Sequence, residues 1–370
     1  MPGPPRAPEI RIPRAPGADD ALCRPSDLDV DGLTVPGTGA TAGDVLRRWG
    51  GRSLVVASLD GAAREWRAPG IDPARPQRCF SLTKSLTGVL AARAVDEGLL
   101  DRTRQVSAVI PALDGTGVGS ATVGDVADMT VSIAYDEDYE ATAGAGEAER
   151  SFRDFGDYVV ALGFAPPGVA VDPTAPRSVR AFVGALAQGE GPHGHVFQYA
   201  TPIAELLVWI LETSVGRGWI DLLRDWVWEP SGARDAAAVQ IDPEGVPTGG
   251  GGLAATTRDL ARVGLALAAG RLLPGPVLDR IAIGGDPDAF RRSRYAKLEG
   301  YTYRDQWWIP GPPGRILSGW GIHGQVLWVD LDHGAVVVIH SGGGDASDLA
   351  RDAKQEALCR TLVAAVGRGR

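Results

Sequence analysis

The sequence predicts an α/β (α+β) fold in which one antiparallel sheet is flanked by helices and carries an inserted, mostly helical region. Strand-like segments lie near both ends of the 370-residue chain, at residues 53–67 and 326–339. Between them, apolar residues recur with helical spacing, interrupted by long loops. We therefore expect the strands of the two ends to pair in one sheet, with the functional site at the seam between sheet and helices.

Composition fits a globular protein and narrows its partners. Hydrophobic residues make up 44% of the chain and charged residues 22%, which are ordinary globular values. A net charge of −9 argues against nucleic acid or an anionic membrane surface as partner. Residues 1–25 lack the apolar core of a signal peptide, and no later run is long enough to span a membrane, so we expect a cytoplasmic protein. The sequence is compatible with a homodimer.

Cysteine usage gives no sign of a metal centre or a disulfide framework. The three cysteines, Cys23, Cys79 and Cys359, are scattered and odd in number. We therefore expect neither a metal nor a cofactor.

The first 80 residues are expected to form an arm followed by the start of the sheet. Residues 1–40 are rich in proline and glycine and predict an extended arm that packs little of its own surface. Residues 41–49 predict a short helix. Residues 53–59 and 62–67 predict a hairpin, because Asp60-Gly61 fits a tight two-residue turn. The segments 41–80 and 300–370 should together form the sheet region.

A helix predicted over residues 81–99 begins with the most informative pair in the chain. Lys84 is one of three lysines against 34 arginines. A buried lysine can give up its proton and act as a base, whereas an arginine cannot. Residues three apart share a helix face, so Lys84 should lie beside Ser81. The first turn of a helix also favours negative charge. The pair suits a serine nucleophile, although a Ser-x-x-Lys pattern also arises by chance, with Ser81 as a plain cap and Lys84 as a surface charge.

Two further motifs follow, within and after a mainly helical region at residues 81–299. The first is Phe197-Gln198-Tyr199-Ala200-Thr201-Pro202, ahead of an apolar helix at residues 203–212. The second is Gly319-Trp320-Gly321-Ile322-His323-Gly324-Gln325, which leads into a hairpin of residues 326–330 and 335–339. Residues 348–366 predict a closing helix.

These motifs in this order resemble the serine β-lactamase and penicillin-binding-protein superfamily, most closely its class C-like branch. Within that branch the chain is similar to the 6-aminohexanoate-dimer hydrolase and carboxylesterase group. The likeness covers about residues 40–365 and implies a β-lactamase-like fold. It implies that Ser81 is the nucleophile and that Lys84 and Tyr199 complete the catalytic set, with either of the two as the base.

The resemblance also assigns secondary roles. The oxyanion would be held by the backbone N–H groups of Ser81 and Ile322. Tyr139 would contact the leaving amine, and Trp320 and His323 would line the substrate site. Each has a plainer alternative: Tyr139 as surface loop, Trp320 as core, and His323 as a cap of the strand. His193 and His195 are more typical of a loop than of a metal site, because no third ligand is near in sequence. The run of residues 249–252 lets the backbone pass close to the site.

Two departures from the superfamily bear on the substrate. The second motif is Tyr-Ala-Thr where β-lactamases have Tyr-x-Asn, and the third is His-Gly-Gln where they have Lys-Thr-Gly. The missing amide and ammonium argue against efficient β-lactamase activity. The sequence therefore predicts a serine hydrolase of small esters or amides that works through an acyl-Ser81 intermediate. One alternative is an acyltransferase of the same fold that passes the acyl group to an amine or alcohol. The other is a non-catalytic binding domain.

Overall fold

The computed structural model describes residues 8–13, 21–137, 155–164, 175–343 and 349–367. The strands are β1 (Glu9–Ile12), β2 (Ser26–Asp27), β3 (Thr34–Val35), β4 (Ala40–Thr41), β5 (Gly51–Ser58), β6 (Ala63–Arg67), β7 (Gln77–Arg78), β8 (Ala237–Gln240), β9 (Leu253–Ala255), β10 (Thr302–Arg304), β11 (Trp307–Ile309), β12 (Ile316–Gly321), β13 (Gln325–Asp330) and β14 (Ala335–Ser341). The α-helices are α1 (Ala42–Arg48), α2 (Leu82–Asp96), α3 (Val106–Val109), α4 (Val123–Ala127), α5 (Phe155–Ala161), α6 (Val179–Ala185), α7 (Thr201–Val215), α8 (Trp219–Leu223), α9 (Glu229–Ser231), α10 (Thr257–Ala268), α11 (Gly275–Ala282), α12 (Pro287–Arg291) and α13 (Leu349–Gly367).

The main sheet joins the two ends of the chain, as the sequence predicts. Its strand order is β10-β11-β12-β13-β14-β5-β6-β2. The predicted hairpin β5–β6 meets the C-terminal hairpin β13–β14 where β14 pairs antiparallel with β5, with Val338 opposite Val55. The neighbours are antiparallel except for β2 and β6, which run parallel. The predicted fold class is confirmed.

Both faces of the central strands are covered. Successive residues of β5 point to opposite faces, so that Val55 joins the core under α2 and α10, and Val56 joins a second core under α13. This double burial explains why these strands are apolar in consecutive positions rather than alternating. Among the described residues, no helix combines the length and apolar character needed to cross a membrane.

Local capping residues determine the helix boundaries, and the sequence prediction did not take all of them into account. Helix α1 begins after Thr41, whose side chain forms a capping box with Asp44. Helix α2 ends at Asp96, three residues before the predicted end. Gly98 adopts a left-handed conformation with φ of 72°, and the Leu99 N–H turns back to Ala94 O. Leu99, the last residue of the predicted helix, is 44% exposed.

Parts of the N-terminal segment pack against the rest of the fold. Strand β1 pairs with β8 in a second sheet of order β1-β8-β9-β7, and Ile12 is fully buried. Leu22, Leu28 and Val35 are buried as well. The described part of residues 1–40 thus contributes several buried side chains to the fold. The small sheet was not predicted, because strands this short leave little periodicity to read.

Helix α10 packs so closely on the main sheet that a side chain added at Gly264 should destabilise the protein. A Cβ atom built on Gly264 of α10 would lie 2.8 Å from Val336 Cγ1 and 3.2 Å from Leu327 Cδ1. We expect Gly264→Val to lower the free energy of unfolding by about 1–3 kcal/mol through overpacking. Gly275→Val is the matched control, because a Cβ at Gly275 meets no atom within 4 Å. Urea unfolding of both variants is the measurement, and equal stabilities would contradict this packing.

Candidate active site

Ser81 and Lys84 lie together at the start of the central helix α2. Ser81 is the N-cap residue, and Lys84 Nζ lies 2.8 Å from Ser81 Oγ. The lysine is not a surface charge, since its side chain is 1% exposed. The structure thus brings the two predicted residues into direct contact and removes the plainer alternative for Lys84.

The buried amine of Lys84 has three polar partners. Besides Ser81 Oγ, Nζ lies 2.8 Å from Thr201 Oγ1 and 2.8 Å from the Gly250 carbonyl oxygen. An ammonium has three N–H donors, so these contacts use all of them. The partners come from three separate parts of the chain: the start of α2, the start of α7 and the glycine run before β9.

Hydrogen-bond directions around Thr201 are fixed by Glu137. The Thr201 hydroxyl donates to one carboxylate oxygen of Glu137, and the Thr201 N–H donates to the other. Because its proton is engaged there, the Thr201 oxygen must accept from Lys84. Gly250 O can only accept. Of the three partners of Nζ, Ser81 Oγ alone can reverse its role and donate to the amine.

A second buried carboxylate supports the Gly250 contact. Glu205 lies on α7, one turn after Thr201, and its Oε1 accepts from Gly250 N at 3.0 Å and from the Tyr158 hydroxyl at 2.8 Å. A Cβ on Gly250 would lie 2.7 Å from the same oxygen, so only glycine allows this approach. Glu205 Oε2 is buried and has no hydrogen-bond partner among the described residues.

Burial moves the pKa values of both groups toward neutrality. Loss of water lowers the pKa of Lys84 to about 8, against the attraction of Glu137 and Glu205, which raises it. Burial raises the pKa of Glu205 to about 7, opposed by its hydrogen bonds from Tyr158 and Gly250 and by the charge of Lys84. Lys84 is therefore a group that can exchange a proton near neutral pH.

The ring of Tyr199 lies close to the amine of Lys84. Lys84 Nζ lies 4.9 Å from the centroid of the Tyr199 ring. Tyr199 in turn packs on Trp308, with ring centroids 5.4 Å apart, and Trp308 stacks on Trp320 at 4.7 Å. Trp320 donates from Nε1 to Ser318 Oγ at 2.6 Å. The predicted substrate residue Trp320 is thus part of an aromatic wall that extends from Tyr199.

The backbone of β12 runs against the segment before the nucleophile. A Cβ on Gly321 would overlap the Cys79 carbonyl oxygen, and one on Gly319 would lie 2.6 Å from Ser85 Oγ. Ile322 follows directly in the turn. Within the described ranges, neither the Ser81 N–H nor the Ile322 N–H forms a hydrogen bond to the chain. Two unpaired donors near one serine suit an oxyanion site.

His323 lies next to the residue that precedes the nucleophile. Its ring contacts Phe80 edge-to-face, with centroids 5.5 Å apart. Both residues have positive φ, 62° for His323 and 48° for Phe80, an uncommon backbone conformation for such side chains. The predicted substrate residue Tyr139 lies outside the described residues.

His193, near the second motif, has structural partners. His193 Nδ1 accepts from Ser132 N at 3.0 Å, and Nε2 lies 3.2 Å from Ser120 Oγ. In the described part of the chain, no group of three or more His, Cys, Asp and Glu residues is placed to hold a metal ion.

Sequence reasoning missed three residues of this site, and two of them left a signal. Thr201 stands two residues after Tyr199, where the superfamily has asparagine, and was noted only as a departure. Glu205 is the one charge in the apolar run of residues 202–211. Glu137 left no clear signal, because it lies in a loop 64 residues from its partner Thr201.

Comparison with known proteins identifies relatives of the whole chain. The β-lactamase family model matches residues 43–359. A 6-aminohexanoate-dimer hydrolase from Paenarthrobacter ureafaciens is 31% identical over 293 residues, which are 77% of this chain and 70% of the relative.

Solved structures agree on the fold. A proposed 6-aminohexanoate-dimer hydrolase from Bacillus anthracis superposes with a TM-score of 0.80 at 22% identity, over 98% of this chain and 92% of that chain. Simvastatin synthase (LovD) from Aspergillus terreus, in a mutant form, superposes with a TM-score of 0.60 at 13% identity, over 88% of this chain and 98% of that chain.

The role of Glu205 can be tested through the pH dependence of the rate at which Ser81 reacts with a fluorophosphonate. Its carboxylate favours the charged form of Lys84, so Glu205→Gln should lower the pKa of that amine further. If the reaction of Ser81 with a fluorophosphonate needs neutral Lys84, its rate rises with pH, and its midpoint should move to lower pH in Glu205→Gln. Glu244→Gln, at an exposed position, is the control. A midpoint that stays in place or rises would contradict this electrostatic role.

Proposed function

The chain belongs to the β-lactamase family, a family of serine hydrolases, and we propose that this member cleaves a small ester or amide through an acyl-Ser81 intermediate. The relative at 31% identity is a 6-aminohexanoate-dimer hydrolase, which favours an amide among the candidate substrates. The proposal rests on the contacts of Lys84 rather than on this name.

The observation that carries the proposal is the set of acceptors around Lys84 Nζ. A neutral amine has two N–H donors and one lone pair. Gly250 O and Thr201 Oγ1 can only accept here, so they take the two donors. The lone pair then faces Ser81 Oγ at 2.8 Å and is placed to receive its proton. This favours Lys84 over Tyr199 as the base.

Acylation then follows with balanced proton and bond changes. Ser81 Oγ attacks the substrate carbonyl carbon while its proton passes to Lys84 Nζ. The negative charge on the carbonyl oxygen is stabilised by the N–H groups of Ser81 and Ile322. The carbon–nitrogen or carbon–oxygen bond breaks, and the leaving amine or alkoxide takes the proton from Lys84, directly or through the Tyr199 hydroxyl.

The second half-reaction decides between hydrolase and acyltransferase. Water attacks the acyl-Ser81 ester in a hydrolase, and an amine or alcohol does so in an acyltransferase. The aromatic wall of Tyr199, Trp308 and Trp320 is almost completely buried, which keeps part of the site dry and favours an organic acceptor as a second possibility. Simvastatin synthase has the same fold, which is compatible with either outcome.

The surroundings of Thr201 argue against β-lactams as good substrates. In β-lactamases this position is the asparagine whose amide holds the side chain of the substrate. Here the Thr201 hydroxyl is engaged by Lys84 and Glu137. The third motif carries His323 where β-lactamases have the lysine that binds the carboxylate.

If Lys84 acts as a base, a substitution that keeps its positive charge but cannot accept a proton should still abolish most of the activity. Lys84→Arg should reduce ester turnover at least about a hundredfold, because a guanidinium cannot accept the proton of Ser81. A fluorophosphonate probe should label the wild type strongly, Lys84→Arg slowly and Ser81→Ala not at all. Lys297→Arg, at an exposed lysine, controls for the substitution itself. Labelling of Ser81→Ala at the wild-type rate, or an active Lys84→Arg, would overturn the mechanism.

The substrate argument predicts that short-chain esters turn over faster than β-lactams. p-Nitrophenyl butyrate and nitrocefin should be compared on one preparation, with and without an added primary amine. A nitrocefin rate above the ester rate would contradict the argument from Thr201 and His323. An amine that captures the acyl group as an amide, without slowing ester consumption, would identify an acyltransferase.

A further inference from the structure

A second feature lies beside Ser81 that the mechanism above does not use. A cavity of about 770 Å³ opens next to Phe80 and His323. Its polar wall carries arginines from separate elements of the fold: Arg11 of β1, Arg52 of β5, and Arg75 and Arg78 in and before β7. We call it the arginine cavity.

The four arginines are uncompensated. Many other arginines of the chain form ion pairs with a carboxylate, such as Arg258 with Glu65 and Arg262 with Asp259. None of the four does so among the described residues. Arg78 has one long contact, at 3.5 Å, with the neutral amide oxygen of Gln240. All four are exposed, so their guanidinium groups can be reached from solvent.

The acidic residues of the cavity do not balance this charge. Glu9 and Asp235 also line it. Burial and the neighbouring Asp259 raise the pKa of Asp235, and the charges of Arg262 and Arg258, which lie outside the lining, oppose this. Four positive and two negative side chains leave a local excess of positive charge in a chain of net charge −9. Such a concentration of one sign focuses the field on anions.

The cavity adjoins the reacting serine through the chain itself. Phe80 precedes Ser81, and His323 follows Ile322, whose N–H is the proposed second oxyanion donor. The Phe80 and His323 rings contact each other and both line the cavity, so the cavity begins one residue along the chain from Ser81 and from Ile322. To reach the arginines, a substrate whose carbonyl carbon lies at Ser81 Oγ would extend past these two rings.

We propose that the arginine cavity binds an anionic group of the substrate, a carboxylate or a phosphate. The guanidinium fork donates two parallel hydrogen bonds to either group. The inference rests on the proposed function, since it places the anion on the same molecule that is cleaved at Ser81. It narrows the substrate class to acidic esters or amides.

The test compares acetyl and glutaryl esters on the purified 370-residue protein. p-Nitrophenyl acetate is the neutral reference. Mono-p-nitrophenyl glutarate carries a carboxylate on the acyl side, 4-acetoxybenzoate carries one on the leaving group, and 4-acetoxyphenyl phosphate carries a phosphate there. We expect at least one anionic ester to be preferred when kcat/KM is divided by the rate of uncatalysed hydrolysis of the same ester, because the esters differ in intrinsic reactivity. Which ester is preferred distinguishes carboxylate from phosphate and one side of the scissile bond from the other.

The arginines should account for that preference. Arg78→Gln and Arg52→Gln should each reduce the anionic-to-neutral ratio of kcat/KM roughly threefold to tenfold, through KM, as expected for one solvent-accessible charge near the ligand. Their rates on the neutral ester should stay within about twofold of the wild type. The control is Arg271→Gln, which alters an exposed arginine outside the cavity. Added NaCl should weaken the preference.

A binding measurement separates this inference from the proposed function. Calorimetric titration of Ser81→Ala with glutarate and with inorganic phosphate should show binding that is lost in Ser81→Ala combined with Arg52→Gln and Arg78→Gln. If no ester is turned over but arginine-dependent binding persists, the proposed function fails and the anion site stands. If neutral esters are cleaved without an arginine-dependent preference, or neither anion binds, the anion site is wrong.

Discussion

The architecture of the site depends on one buried amine. Lys84 Nζ is the point at which the start of α2, the start of α7 and the glycine run before β9 meet, each through a contact of 2.8 Å. Withdrawing a cation from water is costly unless polar partners surround it. The three acceptors and the two nearby carboxylates supply that compensation. In the proposed mechanism, the same partners that stabilise the buried amine also determine which side of it faces Ser81.

Much of this could be predicted from the sequence, and the limits have physical reasons. Ser81 and Lys84 were found because their contact is local, three residues along one helix. Strands β5, β6, β13 and β14 were found because consecutive apolar residues and a tight turn leave a strong pattern. Glu137 was missed because its partner Thr201 is 64 residues away, and the spacing of residues along the sequence does not indicate a contact over that separation. Leu99 was misplaced because Gly98 ends the helix before its apolar pattern ends.

The polar network also explains unusual residues elsewhere in the fold. Glycine at position 250 permits the backbone to approach Glu205, and an acidic residue within the apolar α7 would be destabilising without the donors that Gly250 and Tyr158 provide. A network of this kind is favourable only when nearly all members are present. Single substitutions in it should therefore have effects that do not add, and each member constrains the others.

The pairing of β14 with β5 has a consequence for how the protein reaches its native state. Strand β5 (residues 51–58) is synthesised long before β14 (residues 335–341), so the centre of the sheet cannot form until β14 has been translated. At translation rates of about 5–20 residues per second, that delay is on the order of half a minute. Until then the edge of β5 that later pairs with β14 has no native partner strand, and an unpaired apolar edge is a template for pairing with another chain. The order of synthesis therefore leaves this edge open to non-native pairing until β14 is available.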